Sequence, residues 1–135
     1  MDAQGADARF NSPNAIAIDG TGNLFVAEQN NADVRKIAPN GTVTTFVSLP
    51  GTQPNGLTFD KSGNLYVMDF SSGRGIHVFD PAGNQLPALP SGAASYPYGI
   101  AVDDQGNVYT ADIGFNTGGA IFKNAQAVLK PISAV

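Results

Sequence analysis

The sequence predicts an all-β fold made of three four-stranded antiparallel sheets. Two observations indicate this fold: a 16-residue block occurs three times along the 135-residue chain, and bulky apolar residues alternate with small ones inside it. The 16 glycines and 9 prolines supply the tight turns that short strands need. Because 42 % of the residues are apolar, the chain can also form a core.

The repeated block begins at Pro13, Pro54 and Pro97, so the copies are spaced 41 and 43 residues apart. Without any gap, the copies read PNAIAIDGTGNLFVAE, PNGLTFDKSGNLYVMD and PYGIAVDDQGNVYTAD. A period near 40 residues in an all-β chain is typical of β-propeller blades with four strands each. We therefore predict one propeller segment with three blades, at approximately residues 11–49, 50–92 and 93–135.

The first strand of each blade has a bulky face and a small face. In chain order, the bulky pairs are Ile16/Ile18, Leu57/Phe59 and Ile100/Val102, and the small pairs are Ala15/Ala17, Gly56/Thr58 and Gly99/Ala101. Both faces should be buried, because a blade packs between two neighbours. A small face opposite a bulky one fills such layers without voids.

A turn of the form Asp-x-x-Gly-Asn follows each first strand, with its acid at Asp19, Asp60 or Asp103. The glycine accommodates a positive φ and the aspartate accepts local backbone hydrogen bonds, so turn chemistry explains these acids better than calcium binding does. The second strand then carries an aromatic residue at one fixed place. We expect all three of these residues to be buried: Phe25, Tyr66 and Tyr109.

The outer half of each blade is predicted from shorter apolar runs. The third strands are expected at 34–37, 76–79 and 120–122, and the fourth strands at 43–47, 85–89 and roughly 127–132. Outer strands are half exposed and therefore weakly patterned.

Composition excludes several classes of function. The net charge is −4 and the densest basic spot is Arg35-Lys36, so we expect no nucleic-acid partner. No apolar stretch reaches the ~18 residues that span a bilayer, and Met1–Phe10 has no signal-peptide pattern. The absence of cysteine excludes disulfides and thiolate zinc sites. It fits a reducing cytosol and equally an exported bacterial protein without disulfides.

Blade one closely resembles a bacterial NHL repeat. The residues that carry the resemblance are the segment 8–13, the block that ends at Glu28, and the segments 34–37 and 41–46. The resemblance is good through the blocks of blades two and three and poor in their outer halves. The phrase Pro-Asn-Gly-Leu at 54–57 is shared with the related SMP-30/gluconolactonase-type propellers.

The resemblance implies a six-bladed propeller, of which this chain supplies three blades. Three blades leave two bare apolar faces, which mark an interface. In a lone chain we expect these two faces to stay partly exposed: the face with Ile16, Ile18 and Phe25 at one end, and the face with Ile100, Val102 and Tyr109 at the other. The chain is therefore expected to be a fragment of a longer protein or one half of a homodimer.

The resemblance also implies roles for single residues. The acids that end the second strands, Glu28, Asp69 and Asp112, are expected to hold the following loop by accepting backbone hydrogen bonds. A ligand, if bound, should contact the face where the first strands begin and the second strands end. The candidate binding residues on that face are Asn14, Asn55, Tyr98, Asn31, Asp33, Arg74 and Asn116.

No catalytic residue is assigned. The single histidine, His77, has no carboxylate placed beside it in the sequence, and Ser71 and Ser72 have no histidine near them, so a nucleophilic triad is unsupported. Because every repeated residue has a structural explanation, we expect a binding or scaffold module for a protein or small ligand rather than an enzyme.

The alternative is a metal-dependent lactone or ester hydrolase. In the lactonase relatives the Asn of Pro-Asn-Gly is a metal ligand, which corresponds here to Asn55 and more weakly to Asn14. A hard ion such as Ca²⁺ could there polarise a carbonyl. However, Tyr98 stands where an Asp is needed. A lyase on cyclic peptide antibiotics would need one His and two Glu, and Glu28 is the only glutamate.

Overall fold

The structure is a computed structural model that describes residues 1–71, 75–90, 97–113, 119–123 and 126–129. The strands form three antiparallel sheets, which we call blades one, two and three. The predicted all-β fold is therefore confirmed. Within the described ranges, the only helical element is a 3₁₀ turn at Gly5–Asp7, and no helix could cross a membrane.

Each blade places its four strands side by side in chain order. Blade one contains β2 (Pro13–Ile18), β3 (Leu24–Glu28), β4 (Asp33–Ile37) and β5 (Thr42–Ser48), with β1 (Ala3–Gln4) added beyond β5. Blade two contains β6 (Pro54–Phe59), β7 (Leu65–Asp69), β8 (Gly75–Phe79) and β9 (Gln85–Pro90). Blade three contains β10 (Pro97–Val102), β11 (Val108–Asp112), β12 (Ala120–Lys123) and β13 (Gln126–Leu129). The strands begin and end within three residues of their predicted positions, and the predicted end of β13 lies outside the described residues.

The predicted turns have the expected hydrogen bonds and backbone angles. In the first of them, Asp19 accepts hydrogen bonds from the Thr21 and Asn23 amides at 2.9 Å each, and Gly22 has a φ of +87°. Asp60 and Asp103 bind their own turns in the same way. A further copy of the turn, on Asp80, joins β8 to β9.

The aromatic position of the second strand is equivalent in the three blades, since Phe25, Tyr66 and Tyr109 pair with Ala17, Thr58 and Ala101. Phe25 is buried, but the two tyrosines are only half-buried, so the expectation of burial is wrong for them. Their hydroxyls lie 3.2 and 3.3 Å from Oδ2 of the turn aspartates Asp60 and Asp103. A phenol that bonds a surface turn keeps its polar end near water.

The bulky face of each first strand points toward the preceding blade. Leu57 and Phe59 pack with Ala15 and Ala17 between blades one and two. Likewise, Ile100 and Val102 pack on Ile76 and Val78 between blades two and three. The predicted match of bulky against small faces is therefore present at both junctions.

The direction of the bulky faces corrects part of the prediction of which residues are exposed on the first and last blades. Ile16 and Ile18 are exposed as expected, each at 63 %. Phe25 instead lies in the junction with blade two, at 5.0 Å from both the Phe46 and Phe59 rings. The expectation for Ile100 and Val102 was also wrong, because both face blade two. Since neighbouring side chains of a strand alternate between faces, blade three presents Gly99 and Ala101 outward.

The N-terminal segment covers the outer part of blade one, which the sequence did not predict. Ala3 pairs with Val43 at the edge of β5. The side chain of Asp2 reaches Arg35 in β4 at 2.7 Å, and the Phe10 ring lies 5.4 Å from the Arg35 guanidinium. Arg35 is consequently buried, while Ile16 and Ile18 on the inner strand stay uncovered.

Candidate functional site

The predicted binding residues lie at one end of the blades, which we call the strand-entry face. There the first strands begin and the second strands end. Asn14, Asn55 and Tyr98 each occupy the second position of the innermost strand of a blade. Because β6 contacts both β2 and β10, these three positions form a row across the blades.

The three residues of this row have different partners. Asn14 donates from Nδ2 to Oε1 of Gln29 at 3.4 Å. Asn55 donates from Nδ2 to the carbonyl of Pro97 at 3.0 Å, and this bond links blade two to blade three. Tyr98 is 60 % exposed and its ring meets the edge of Phe70 at 5.7 Å.

Amide side chains gather on the strand-entry face of blade one. This amide cluster consists of Asn11, Asn14, Gln29, Asn30 and Asn31. The side-chain amide of Asn11 donates to Oδ1 of Asn31 at 3.0 Å, and the side-chain amide of Asn30 donates to Oδ1 of Asn11 at 3.3 Å. The run Gln29-Asn30-Asn31 was the signal in the sequence for this cluster, of which only Asn14 and Asn31 were predicted as binding residues.

The other predicted residues are placed as follows. Asp33 begins β4 and pairs directly with Glu28 on β3. Arg74 and Asn116 lie outside the residues that the structure describes.

The acids at the ends of β3 and β7 join two segments each. Asp69 accepts hydrogen bonds from the Gln53 amide before the blade and from the Ser71 amide after β7, both at 2.8 Å. Burial raises the pKa of Asp69, but these amides, the Ser71 hydroxyl and the nearby His77 outweigh it, and the net pKa is below its usual value. Glu28 likewise accepts from the backbone amide of Asn11. The predicted role of holding the following loop by a backbone hydrogen bond is confirmed for Asp69. Glu28 takes its backbone hydrogen bond from the preceding segment and contacts the following loop through the side-chain amide of Asn31, at 3.2 Å.

A buried cation accompanies the acid in blade one. Arg35 Nη1 lies 3.0 Å from Oε2 of Glu28 and 3.1 Å from the carbonyl of Arg9. Arg35 is 1 % exposed and Glu28 is fully buried, so this pair forms part of the blade rather than an open site.

His77 occupies the same place in blade two. Arg35 pairs with Val26 and His77 pairs with Val67, which are equivalent positions of the repeated block. The His77 Nε2 atom lies 3.7 Å from Oδ2 of Asp69, so the expectation that no carboxylate lies beside His77 was wrong. An alignment of the third strands in the sequence would have placed Arg35 and His77 at the same position. The equivalent position of blade three is Phe122.

Asn55, the predicted metal ligand, lies at the junction between blades two and three. Asn55 offers a suitable oxygen, since its Oδ1 is buried and has no hydrogen-bond partner within the described part of the chain. Calcium, however, takes 6–8 oxygen ligands. The described ranges contain no cluster of three His, Asp or Glu side chains that could hold a metal ion.

Concave surfaces occur at both ends of the blades. A cleft of ≈ 410 Å³ beside the strand-entry face is lined by Phe10, Asn14, Ile16 and Val26, among others. A cleft of ≈ 320 Å³ lies at the opposite end, between the turns of blades one and two. The choice of the strand-entry face for ligand binding therefore stays a prediction.

Comparison with known proteins identifies the fold. No family model and no curated protein sequence matches the chain. Among solved structures, it is similar to a virginiamycin B lyase from Staphylococcus aureus, with a TM-score of 0.69 and 15 % identity over 91 % of this chain and 44 % of that one. A gluconolactonase from Xanthomonas campestris gives 0.71 and 22 % identity over 94 % and 49 %.

A chain of the nidogen–laminin complex is also similar, with a TM-score of 0.71 and 18 % identity over 84 % of this chain and 45 % of that one. The chain thus spans less than half the length of each of these three proteins. At such identities the similarity identifies the architecture and not the activity. The chain therefore belongs to the β-propellers and contributes three blades of that fold.

Proposed function

We propose that this chain is a propeller module that binds a protein or a small ligand through its strand-entry face and has no catalysis of its own. The observation that carries the proposal is that two of the acids at the ends of the second strands already accept hydrogen bonds from neighbouring groups. Glu28 is bonded to Arg35 and to the Asn11 amide, and Asp69 is bonded to the Gln53 and Ser71 amides. Carboxylates held in this way brace the blades and are not free to act as a base.

The strand-entry face has the composition of a binding surface. Tyr98 presents a large, rigid ring to solvent, and such residues contribute disproportionately to interface energies. The amide cluster on the same face of blade one can both donate and accept hydrogen bonds, which suits peptide groups and hydroxyls. The kinship with bacterial NHL repeats and a count of six blades in the whole protein belong to the same proposal.

A random peptide library selected on the immobilised chain provides a direct test. We expect Tyr98→Ala or Asn31→Ala to weaken the affinity of the chain for the selected peptides by about tenfold or more. Lys61→Ala, in the turn at the opposite end of blade two, is the control and should leave binding unchanged. Peptides that bind all three variants equally would contradict the choice of face.

The second candidate is a metal-dependent lactone or ester hydrolase, favoured by the unpaired Oδ1 of Asn55 and by the gluconolactonase among the similar structures. Calorimetric titration with CaCl₂, followed by a lactone hydrolysis assay, separates the two functions. The binding proposal expects neither heat nor hydrolysis. Millimolar or tighter Ca²⁺ binding that Asn55→Ala abolishes, together with hydrolysis by this chain, would establish the alternative.

A further inference from the structure

The two junctions between blades obey one rule of size. At each junction, the bulky face of one first strand meets the small face of the first strand before it. The fit is tight where Gly56 lies: a Cβ atom placed there would be 3.2 Å from Cγ2 of Ile100 and 2.8 Å from Cε of Met68. A junction of this kind therefore pairs a bulky side chain on one side with a small residue on the other.

The two ends of the array are the uncovered halves of such a junction. Blade one presents Ile16 and Ile18, each 63 % exposed, at the position that Ile100 and Val102 occupy in blade three. Blade three presents Gly99 and Ala101, at the position of Gly56 and Thr58. The exposed face of blade one can therefore supply the bulky side of a junction, and the exposed face of blade three can supply the small side.

Space is available at the small end. Among the described residues, a Cβ atom placed on Gly99 would touch only the Cβ of Ala111, at 3.7 Å, so the described part of the chain leaves room over this glycine on the side away from blade two. At the bulky end, the N-terminal segment covers Arg35 but leaves the inner strand β2 free. The uncovered apolar area of blade one thus lies on its innermost strand, where the internal junctions have their tight contact. On blade three it extends from the innermost strand to Ile121 on β12, which is 37 % exposed and lies on the same face as Gly99.

Three blades cannot close on themselves into a ring. Closing three blades into a ring would require about 120° between neighbours, whereas propellers of 4–8 blades use about 45–90°. Two chains related by a two-fold axis would instead join each bulky end to a small end, and both junctions would form at once.

We propose that this chain pairs with a second copy of itself, with Ile16 and Ile18 of each copy packed against Gly99 and Ala101 of the other. The interaction surface is the inner half of each end face. Ile16 of one copy would contact Gly99 of the other as Ile100 contacts Gly56 within the chain.

The test uses the full 135-residue chain and two charged variants, Ile16→Lys and Gly99→Asp. Both positions lie on exposed or half-exposed inner strands, so circular dichroism should show the folded spectrum for each variant. Sedimentation equilibrium at micromolar concentration should give a dimer for the unchanged chain and a monomer for each variant alone. Ala82→Glu, in the exposed turn that joins β8 to β9 in blade two, is the control and should remain dimeric.

Mixing the two variants gives the decisive measurement. A mixed pair contains one junction in which the introduced lysine meets the introduced aspartate, and one unchanged junction. The 1:1 mixture should therefore recover the dimer, and high salt should weaken it. A folded monomer of the unchanged chain, an unchanged chain that does not fold, a dimer insensitive to both substitutions, or open-ended association would each overturn the proposal.

Discussion

Glu28 and Asp69 occupy the same position in two blades, but the basic side chain opposite each of them differs. In blade one the guanidinium of Arg35 is buried and bonded to Glu28, to Asp2 and to a backbone carbonyl. In blade two the imidazole of His77 is partly exposed and lies 3.7 Å from its acid, at the limit of an ion pair. The acid in blade one should therefore contribute more to stability, since a buried charge that loses its partner is costly.

Replacing Glu28 with Gln should lower the free energy of unfolding by about 3 kcal/mol, because Arg35 would keep only Asp2 as a counter-charge. Urea unfolding followed by circular dichroism measures the change. The double variant Glu28→Gln with Arg35→Leu should recover part of the loss, because no buried charge remains. Asp33→Asn, next to Glu28 on β4, is the control, with an effect within about 0.5 kcal/mol. An unaltered stability of Glu28→Gln would contradict this assignment.

At the scale of the strand, the first strand of each blade matters through its two unlike faces. Its bulky face fills the junction with the preceding blade, and its small face admits the following one. Side chains alternate between the two faces in any β-strand. Here the faces also differ in volume, so each blade can stack on its neighbours in only one order. An enlargement of the small face should therefore separate two blades rather than disturb one sheet.

Gly56→Ala tests this packing at the junction of blades two and three. The added methyl would approach Met68 and Ile100, so we expect a loss of about 1–3 kcal/mol in the free energy of unfolding. Gly20→Ala is the matched control: it lies in an exposed turn where an added Cβ meets nothing within 4 Å, and it should change the stability by less than about 0.5 kcal/mol. Equal stabilities of the two variants would show that the junction is loosely packed.

Across the whole molecule, the repeated aspartates share one electrostatic property. Desolvation raises the pKa of Asp19, but hydrogen bonds from Asn23 and Thr21 outweigh it and bring the pKa to about 2. The pKa values of Asp60 and Asp103 are also lowered, in part by hydrogen bonds from the turn asparagines Asn64 and Asn107. The unfolded chain, with a usual value of 3.8, therefore binds protons at a higher pH than the folded chain does.

The stability conferred by these turns should be fully present above about pH 5 and should be lost as the pH falls from about 4 to about 2. Urea unfolding at a series of pH values measures it. Asp60→Asn should make the decline shallower, because one of the titrating carboxylates is removed. Asp104→Asn, at a variable and exposed position of the Asp103 turn, should leave the curve unchanged. A decline that begins near neutral pH would point to another group.

The three blades, their strands and their turns could be predicted from the sequence, because each depends on neighbours within about five residues. Alternation determines which side chains share a face, and Asp-x-x-Gly-Asn determines the turn. The same local patterns placed Asn14, Asn55 and Tyr98 at one end of the blades, since each follows a proline that begins a first strand.

Only the tertiary structure decided which residues meet across the chain. The Asp2–Arg35 ion pair joins residues 33 positions apart, and the Asn55–Pro97 hydrogen bond joins residues 42 apart. Such contacts depend on cross-strand register and on the packing of one blade against the next, which local patterns do not encode. For the same reason, the direction in which the bulky faces point, and so which surface of blade three is bare, emerged only once the blades were stacked.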